Sequence, residues 1–180
     1  MLVVFGLIYL GVVEYFFFDE FNSIIMTTSN HKPYTFPAGV EGVPVKGGGG
    51  DAGVRYPDYA LGKFFEMAKA KAWFDDTLFV IVADHGARVY GREDIPITTY
   101  EIPLLLYSPK HIKPDRVDTL TSQIDVAPTG LGMLNFTYDS NFFGIDVFRD
   151  SHPCRAIQLN HNRDIALFDG SNLLTVVCPT

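Results

Sequence analysis

The segment Thr77-Leu-Phe-Val-Ile-Val-Ala-Asp-His-Gly86 restricts the fold of this chain more than any other stretch. Leu78 to Ala83 is apolar throughout, which is typical of a strand that is buried on both faces. Ligands of open α/β sheets bind beyond the carboxyl ends of the strands, where Asp84 and His85 lie. A carboxylate oxygen beside an imidazole nitrogen suits a divalent ion such as Zn²⁺ or Mn²⁺. The alternative is structural: Asp84 caps the following turn and His85 is a loop histidine.

The composition restricts the class of protein. The chain has 180 residues, enough for one ordinary domain with a sizeable core. Its hydrophobic content of 47% and aromatic content of 14% argue against disorder. Only 14 Lys and Arg stand against 21 Asp and Glu, without a basic stripe, so the sequence predicts no nucleic-acid partner. Cys154 and Cys178 lack metal-type spacing, and the sequence leaves open whether they form a disulfide or remain thiols.

The N-terminal segment differs from the rest of the chain in hydropathy. Met1 to Phe18 is an apolar run with Glu14 as its one charge. A membrane-spanning helix needs about 20 mostly apolar residues, so we expect the last part of a membrane helix that exits to water at Asp19. The alternative is a buried core helix or strand pair. A signal peptide fits poorly, because no basic residue precedes the run and no small-residue cleavage site follows it.

A second strand-like run places another histidine near Asp84 and His85. Ile24 to Thr28 is rich in β-branched residues, and the turn that follows contains His31. We therefore expect His31 at the same edge of the sheet as Asp84 and His85. Taken alone, a histidine in such a loop is more often structural than catalytic.

The remaining elements predict a layered α/β fold, an open sheet with flanking helices. Residues 38–55 are rich in glycine without a following Gly-Lys-Ser/Thr, so we expect a flexible loop there rather than a phosphate-binding loop. Apolar residues at helical spacing indicate an amphipathic helix from about Pro57 to Trp73. Ile102 to Tyr107 predicts a further strand, and residues 123–134 predict a second helix with Asp125 as its N-cap. Strands interleaved with helices in this order indicate a layered sheet.

Several blocks of residues follow one another in a characteristic order. They are Ser29-Asn-His-Lys-Pro33, Gly53-Val-Arg-Tyr-Pro-Asp-Tyr-Ala-Leu-Gly62, Trp73-Phe-Asp-Asp-Thr77, Ala83-Asp-His-Gly86, Tyr100-Glu-Ile-Pro-Leu-Leu-Leu-Tyr-Ser-Pro109, Ser122-Gln-Ile-Asp-Val-Ala-Pro-Thr129 and Phe143-Gly-Ile-Asp146. Together they resemble the sulfatase-like catalytic domain of the lipoteichoic acid synthase family, in particular its Gram-negative sulfatase or phosphoglycerol-transferase-like members. The resemblance covers roughly residues 24–170. It implies the α/β fold of the alkaline phosphatase superfamily, here incomplete.

The resemblance implies a metal site and a substrate site. A single divalent ion, Mn²⁺ with Zn²⁺ or Mg²⁺ as alternatives, is expected on Asp84 and His85. His31 matches the family histidine that contacts the substrate phosphate or assists the leaving group, which makes it the catalytic and substrate-binding candidate. Arg88 and His161 are further substrate-binding candidates, with a surface ion pair and a structural loop role as their alternatives. A metal lowers the pKa of a hydroxyl nucleophile, and an imidazole can move a proton.

The resemblance also implies where and on what the protein acts. It predicts an anionic substrate of the phospholipid or glycan type, and a membrane as partner. The protein is expected at the cell (inner) membrane, with its catalytic domain extracytoplasmic or periplasmic. The corresponding division assigns residues 1–22 to a membrane-helix remnant or juxtamembrane segment and residues 23–180 to a partial catalytic domain.

Part of the family pattern is missing from the start of the sequence. Family members carry an acidic metal ligand and a Thr, Ser or modified Cys nucleophile in the first half of the catalytic domain. We expect that this chain joins the membrane segment directly to the second half, near Asn22 to Ile25. A rival interpretation makes Thr27 or Thr28 the nucleophile and Asp19 or Glu20 the third ligand.

Two functions follow from this sequence. The first is a metal-dependent phosphoglycerol transferase or a phosphatase/sulfatase-like hydrolase, impaired because the half with the nucleophile is absent. The alternative is a catalytically silent fragment, or a module that binds a metal or glycolipid headgroups without turnover.

Overall fold

The structure divides the chain into two units. The computed structural model describes residues 2–6, 13–17, 20–44, 48–86, 95–150, 154–161 and 164–176. Unit 1 comprises Met1–Asp84 and Pro103–Lys113, and unit 2 comprises His85–Ile102 and Pro114–Thr180.

A five-stranded sheet forms the framework of unit 1. Its strands are β1 (Leu2–Gly6), β2 (Val13–Phe17), β3 (Glu20–Ile25), β4 (Thr77–Val82) and β5 (Leu104–Tyr107), in the order β2-β3-β1-β4-β5. Strand β1 is parallel to both β3 and β4. The outer strands are antiparallel to their neighbours, β2 to β3 and β5 to β4. The predicted strands are therefore present, although β3 lies earlier than Ile24 to Thr28 and β5 begins later than Ile102.

The register of β1 brings the ends of β3 and β4 to one level. Gly6 of β1 lies opposite Ile25 of β3 and opposite Ile81 of β4. Because the three strands are parallel, the chain leaves β3 and β4 at the same edge of the sheet. The sequence predicted this shared edge, and the strand topology confirms it for the two strands that precede His31 and Asp84.

The N-terminal segment is extended where the sequence predicted a helix. Residues 2–6 and 13–17 form β1 and β2, so the membrane helix expected over Met1 to Phe18 is wrong for these residues. Their Val, Phe and Tyr residues favour strands, and β1 gains hydrogen-bonding partners on both sides from β3 and β4. Of the described helices, none is long and apolar enough to cross a membrane. The division between residues 22 and 23 stays a prediction, and β3 runs through it.

The long helix of unit 1 begins earlier than its pattern indicated. Helix α1 spans Gly49–Ala68, so part of the predicted flexible loop over residues 38–55 is helical and Pro57 lies inside the helix. Ala52 and Gly53 are buried near its start. Glycine costs a helix about 1 kcal/mol relative to alanine, and the packing of the buried first turns outweighs that cost here.

The core of unit 1 is centred on Phe79 in β4. Leu78, Phe79 and Val80 are each 1% exposed, which confirms the prediction of a strand buried on both faces. Five aromatic rings lie with their centroids 5.1–6.4 Å from that of Phe79. They belong to Phe64, Phe65, Trp73, Phe74 and Tyr107. The core thus ties α1 and β5 to the strand that leads to Asp84.

Unit 2 contains a short helix and a three-stranded antiparallel sheet. A 3-10 turn, Gln123–Asp125, leads into α2 (Val126–Met133), which confirms the second predicted helix. The sheet has the order β6 (Ile157–His161), β7 (Asp164–Phe168), β8 (Leu173–Val176). Its buried face contributes Leu159 and Ala166 to a core that also contains Ile95.

Asp125, the predicted N-cap of α2, stabilises unit 2 through contacts other than a cap of that helix. Its side chain makes no hydrogen bond to the first turn of α2. The fully buried carboxylate instead accepts hydrogen bonds from the backbone N–H of Ser122 at 2.7 Å and of Ile145 at 3.0 Å, and it pairs with the guanidinium of Arg155. A buried carboxylate needs such partners because it has lost its hydration. Asp125 therefore connects three segments of the unit.

Candidate active site

Strand β4 carries the acidic candidate to the edge of the sheet. The backbone N–H of Ala83 lies 3.4 Å from the carbonyl oxygen of Pro103, which keeps the chain beside the segment that enters β5. Asp84 follows at once and is half-buried, while His85 is exposed. Asp84 is the last residue of the first segment of unit 1, and His85 is the first residue of unit 2.

A backbone hydrogen bond fixes the tautomer of His85. Its Nδ1 lies 2.8 Å from the carbonyl oxygen of Gly86. Because a carbonyl oxygen only accepts, Nδ1 carries the proton, and the lone pair of the neutral ring is on Nε2. Metal-binding histidines commonly donate their other ring N–H to a backbone carbonyl, which orients the ring. The donor chemistry of His85 therefore fits a metal ligand that binds through Nε2.

Gly86 is required by close backbone packing inside unit 2. A Cβ atom there would overlap the carbonyl oxygen of Thr99, and it would lie 2.9 Å from the carbonyl carbon of Thr99 and 3.2 Å from the oxygen of Glu101. These contacts are with backbone atoms that cannot rotate away. The residue after His85 therefore has to be glycine for the turn to lie against residues 99–101.

His31 has the same tautomer as His85. It lies in the turn after β3, is exposed, and its Nδ1 is 2.7 Å from the carbonyl oxygen of Lys32. By the same reasoning Nδ1 carries the proton and Nε2 has the lone pair. The turn is closed by backbone hydrogen bonds from His31 to the oxygen of Thr28 at 3.0 Å and from Tyr34 to the oxygen of His31 at 2.8 Å. His31 thus presents one defined ring nitrogen, which accepts a proton in the neutral ring and donates to an anion once the ring is protonated.

A cavity of about 330 Å³ lies beside this turn in unit 1. It is lined by Pro33, Tyr34, Phe36, Pro44, Gly48, Gly49 and Ala52. Its volume is at the lower end of the range of about 300–1,000 Å³ that is typical of small-molecule sites.

His161 belongs to a hydrogen-bond chain in unit 2 that the sequence did not indicate. The hydroxyl of Tyr100 donates to the carbonyl oxygen of Asn160 at 2.6 Å, which uses its one hydrogen. The contact of 2.9 Å between this hydroxyl and Nδ1 of His161 is therefore a donation from the histidine. Burial raises the pKa of Tyr100, so the hydroxyl keeps its proton at neutral pH. Tyr100 lies far from His161 along the chain, and no spacing pattern relates the two.

We expect the variant Tyr100→Phe to lower the free energy of unfolding by about 1 kcal/mol, because it removes both hydrogen bonds of the hydroxyl. Without the Tyr100 hydroxyl as acceptor, the ring of His161 should no longer favour the tautomer protonated at Nδ1. Urea unfolding and the ¹⁵N NMR shifts of the His161 ring measure the two effects. The exposed Tyr59→Phe variant is the control, and equal effects in both variants would contradict the assignment.

The other candidates are distributed as follows. Arg88 and Asp19 lie outside the described residues, and Glu20 is the first residue of β3. Thr27 and Thr28 are exposed on the segment between β3 and His31, and their role as nucleophile stays a prediction.

Within the part of the chain that the structure describes, no three or more His, Cys, Asp or Glu side chains are grouped so that they could hold a metal ion. Zn²⁺ normally takes about four ligands, so Asp84 and His85 fit two positions of such an ion.

Both comparisons with known proteins point to one family. The model of the family described as Sulfatase matches residues 19–136, about two thirds of the chain, including His31, Asp84 and His85. A solved structure of a protein in the alkaline phosphatase superfamily from Vibrio parahaemolyticus is 31% identical, with a TM-score of 0.77. The match covers 86% of this chain and 38% of that chain, so this chain spans well under half of its length. The predicted α/β fold of the alkaline phosphatase superfamily is confirmed, and the chain belongs to the sulfatase family.

Proposed function

We propose that this chain is part of a metal-dependent enzyme that acts on phosphate or sulfate esters, as a phosphoglycerol transferase or a phosphatase/sulfatase-like hydrolase of the lipoteichoic acid synthase type. Members of the sulfatase family act on anionic esters and generally use a divalent metal ion. The observation that carries the proposal is the end of β4, where Asp84 is followed by a histidine whose Nε2 has the lone pair.

The proposal gives each candidate residue a role. Asp84 and Nε2 of His85 would hold one divalent ion, Mn²⁺ in preference to Zn²⁺ or Mg²⁺. Such an ion, when bound, offsets the negative charge of the ester oxygens. In its protonated form His31 donates from Nε2 to the anionic group, and it can pass this proton to the leaving oxygen. Arg88 and His161 complete the proposal as substrate-binding residues, and the cavity beside His31 offers room for the organic part of the ester.

The place of action and the kind of substrate are further parts of the proposal. We propose a phospholipid or glycan-type substrate at the cell (inner) membrane, with the catalytic domain on the extracytoplasmic, periplasmic side. The support for these parts is the resemblance of the ordered sequence blocks to the lipoteichoic acid synthase family.

Metal binding tests the proposal most directly. We expect Asp84→Ala and His85→Ala each to weaken Mn²⁺ binding by about 100-fold, which corresponds to about 2.7 kcal/mol, because each removes one of two ligands. Calorimetric titration with Mn²⁺ and Zn²⁺ measures the loss, and hydrolysis of bis(p-nitrophenyl) phosphate and p-nitrophenyl sulfate measures the activity. Asp58→Ala, at an exposed position of α1, is the matched control. Mn²⁺ affinity that is unchanged in both site variants would exclude the metal site.

A binding role without turnover is the second candidate function. It is favoured by the finding that the described residues bring no third acidic, histidine or cysteine ligand to Asp84 and His85. Mn²⁺ binding that depends on Asp84 without hydrolysis of either ester would support this function. Hydrolysis that is lost in Asp84→Ala would contradict it.

A further inference from the structure

The start of helix α1 packs against the loop that carries His31. The side chain of Arg55 donates to the carbonyl oxygen of Gly42 at 3.2 Å. The ring of Phe36 stacks on that of Tyr56, with centroids 5.0 Å apart and an angle of 13° between the rings. One short stretch of α1 thus holds the loop at two separate points.

Gly53 of α1 provides a third point of contact. The loop residues that it meets, Asn30 and Tyr34, are the ones nearest to His31 in sequence. A Cβ atom at Gly53 would lie 2.7 Å from Cδ1 and 3.2 Å from Cε1 of the Tyr34 ring, and 3.1 Å from Oδ1 of Asn30. The ring of Tyr34 therefore lies directly on the backbone of α1, and only a residue without a side chain permits this approach. Gly53 is buried as a result of this packing.

The backbone of Tyr34 is strained, and it makes a hydrogen bond to the backbone of His31. Its φ of 57° lies in the left-handed region, which costs a residue with a Cβ roughly 1–2 kcal/mol. Such conformations persist where the surroundings hold them in place, and they concentrate at functional sites. The same residue donates its N–H to the carbonyl oxygen of His31 at 2.8 Å. The packing of the Tyr34 ring on Gly53 is therefore transmitted to His31 through one hydrogen bond.

We propose that Tyr34 is a positioning residue that holds His31 in place by packing on Gly53 of α1. This inference rests on the proposed role of His31 in binding the anionic group of the ester. It gives a function to the glycine-rich start of α1, which matches no phosphate-binding loop. The glycine at position 53 lets α1 and the His31 turn approach each other.

Two glycines on the same helix provide a matched test. In Gly53→Ala the new methyl group meets the Tyr34 ring, whereas at Gly62 a Cβ has no atom within 4 Å. We expect Gly53→Ala to shift the ¹⁵N signals of the His31 ring and to weaken its binding of inorganic phosphate by about 10-fold, or about 1.4 kcal/mol. Gly62→Ala should leave both measurements unchanged and should stabilise the helix by up to about 1 kcal/mol.

The side chain of Tyr34 gives an independent readout. Tyr34→Ala removes the ring and should reproduce the effect of Gly53→Ala on His31. Tyr34→Phe keeps the ring, so its His31 signals and its phosphate affinity should equal those of the native chain. His31 signals and phosphate affinity that stay native in Gly53→Ala and Tyr34→Ala would overturn the inference. So would an equal loss in Gly62→Ala.

The same experiment separates this inference from the proposed function. If the native chain binds no phosphate, the proposed role of His31 fails, while the ring signals of His31 still report whether Tyr34 and Gly53 position it. If phosphate binds equally well in all variants and the ring signals do not move, the positioning role fails and the proposed function is unaffected. Circular dichroism of each variant establishes that α1 is intact.

Discussion

Replacing Phe79 by alanine is expected to lower the free energy of unfolding by about 3–5 kcal/mol, the range typical of removing a buried aromatic ring. Phe79 is 1% exposed at the centre of β4, and five other rings surround it. The loss combines the hydrophobic transfer energy of the ring with the cost of the cavity that it leaves. Because domains are stable by only about 5–15 kcal/mol, this single change is a large fraction of the total.

Urea unfolding followed by circular dichroism measures the effect of Phe79→Ala. Met67→Ala, at a position of α1 that is 65% exposed, is the control and should change the stability by no more than about 0.5 kcal/mol. Phe79→Leu should lie between the native chain and Phe79→Ala, because leucine fills part of the space. A loss below about 1 kcal/mol in Phe79→Ala would show that the ring cluster is not the core of unit 1.

Removing the cation from Asp125 is the second change with a large expected effect. Arg155→Met should cost about 3–5 kcal/mol, because it leaves a fully buried carboxylate without its positive partner. The two backbone N–H groups that also bind Asp125 do not replace that charge. The double variant Asp125→Asn with Arg155→Met should recover part of the loss, since it removes the charge itself.

An exposed ion pair of the same unit serves as the comparison for Arg155. Arg116 and Asp118 lie 2.8 Å apart with side chains that are 89% and 79% exposed. Such pairs contribute about 0–1 kcal/mol, so Arg116→Met should change the stability little. Thermal unfolding at neutral pH measures both variants. Equal losses for Arg155→Met and Arg116→Met would mean that burial of the Asp125 pair has no energetic consequence.

The sequence predicted the strands of this fold better than it predicted the helix boundaries. The apolar run of β4 is unambiguous because it is short, β-branched and bounded by Asp75 and Gly86. The apolar run at the N-terminus favoured a membrane helix, with a core helix or strand pair as the alternative. Its conformation depends on the pairing of β1 with β3 and with β4, and β4 lies far away along the chain. Helix α1 begins at Gly49 because tertiary packing outweighs the poor helix propensity of glycine, and no local pattern shows that packing.

The candidate site was predictable where it depends on strand ends. Asp84 and His31 follow β4 and β3, and two apolar strand-like runs that each lead into a turn are enough to indicate a common edge. The contacts that orient the side chains were not predictable. One such contact is the hydrogen bond between Tyr100 and His161, and another is the packing of Tyr34 on Gly53. Each joins two residues whose separation along the chain follows no helical or strand period.

The packing of Gly86 has a consequence for how the Asp-His-Gly motif changes during evolution. Its third position is restricted by the backbone of Thr99 and Glu101, whatever chemistry Asp84 and His85 perform. In a lineage that gives up catalysis, selection on the carboxylate and the imidazole relaxes, while selection on the glycine continues for as long as the protein has to fold. A descendant that has lost the carboxylate and the imidazole would therefore still need glycine at this position in order to fold.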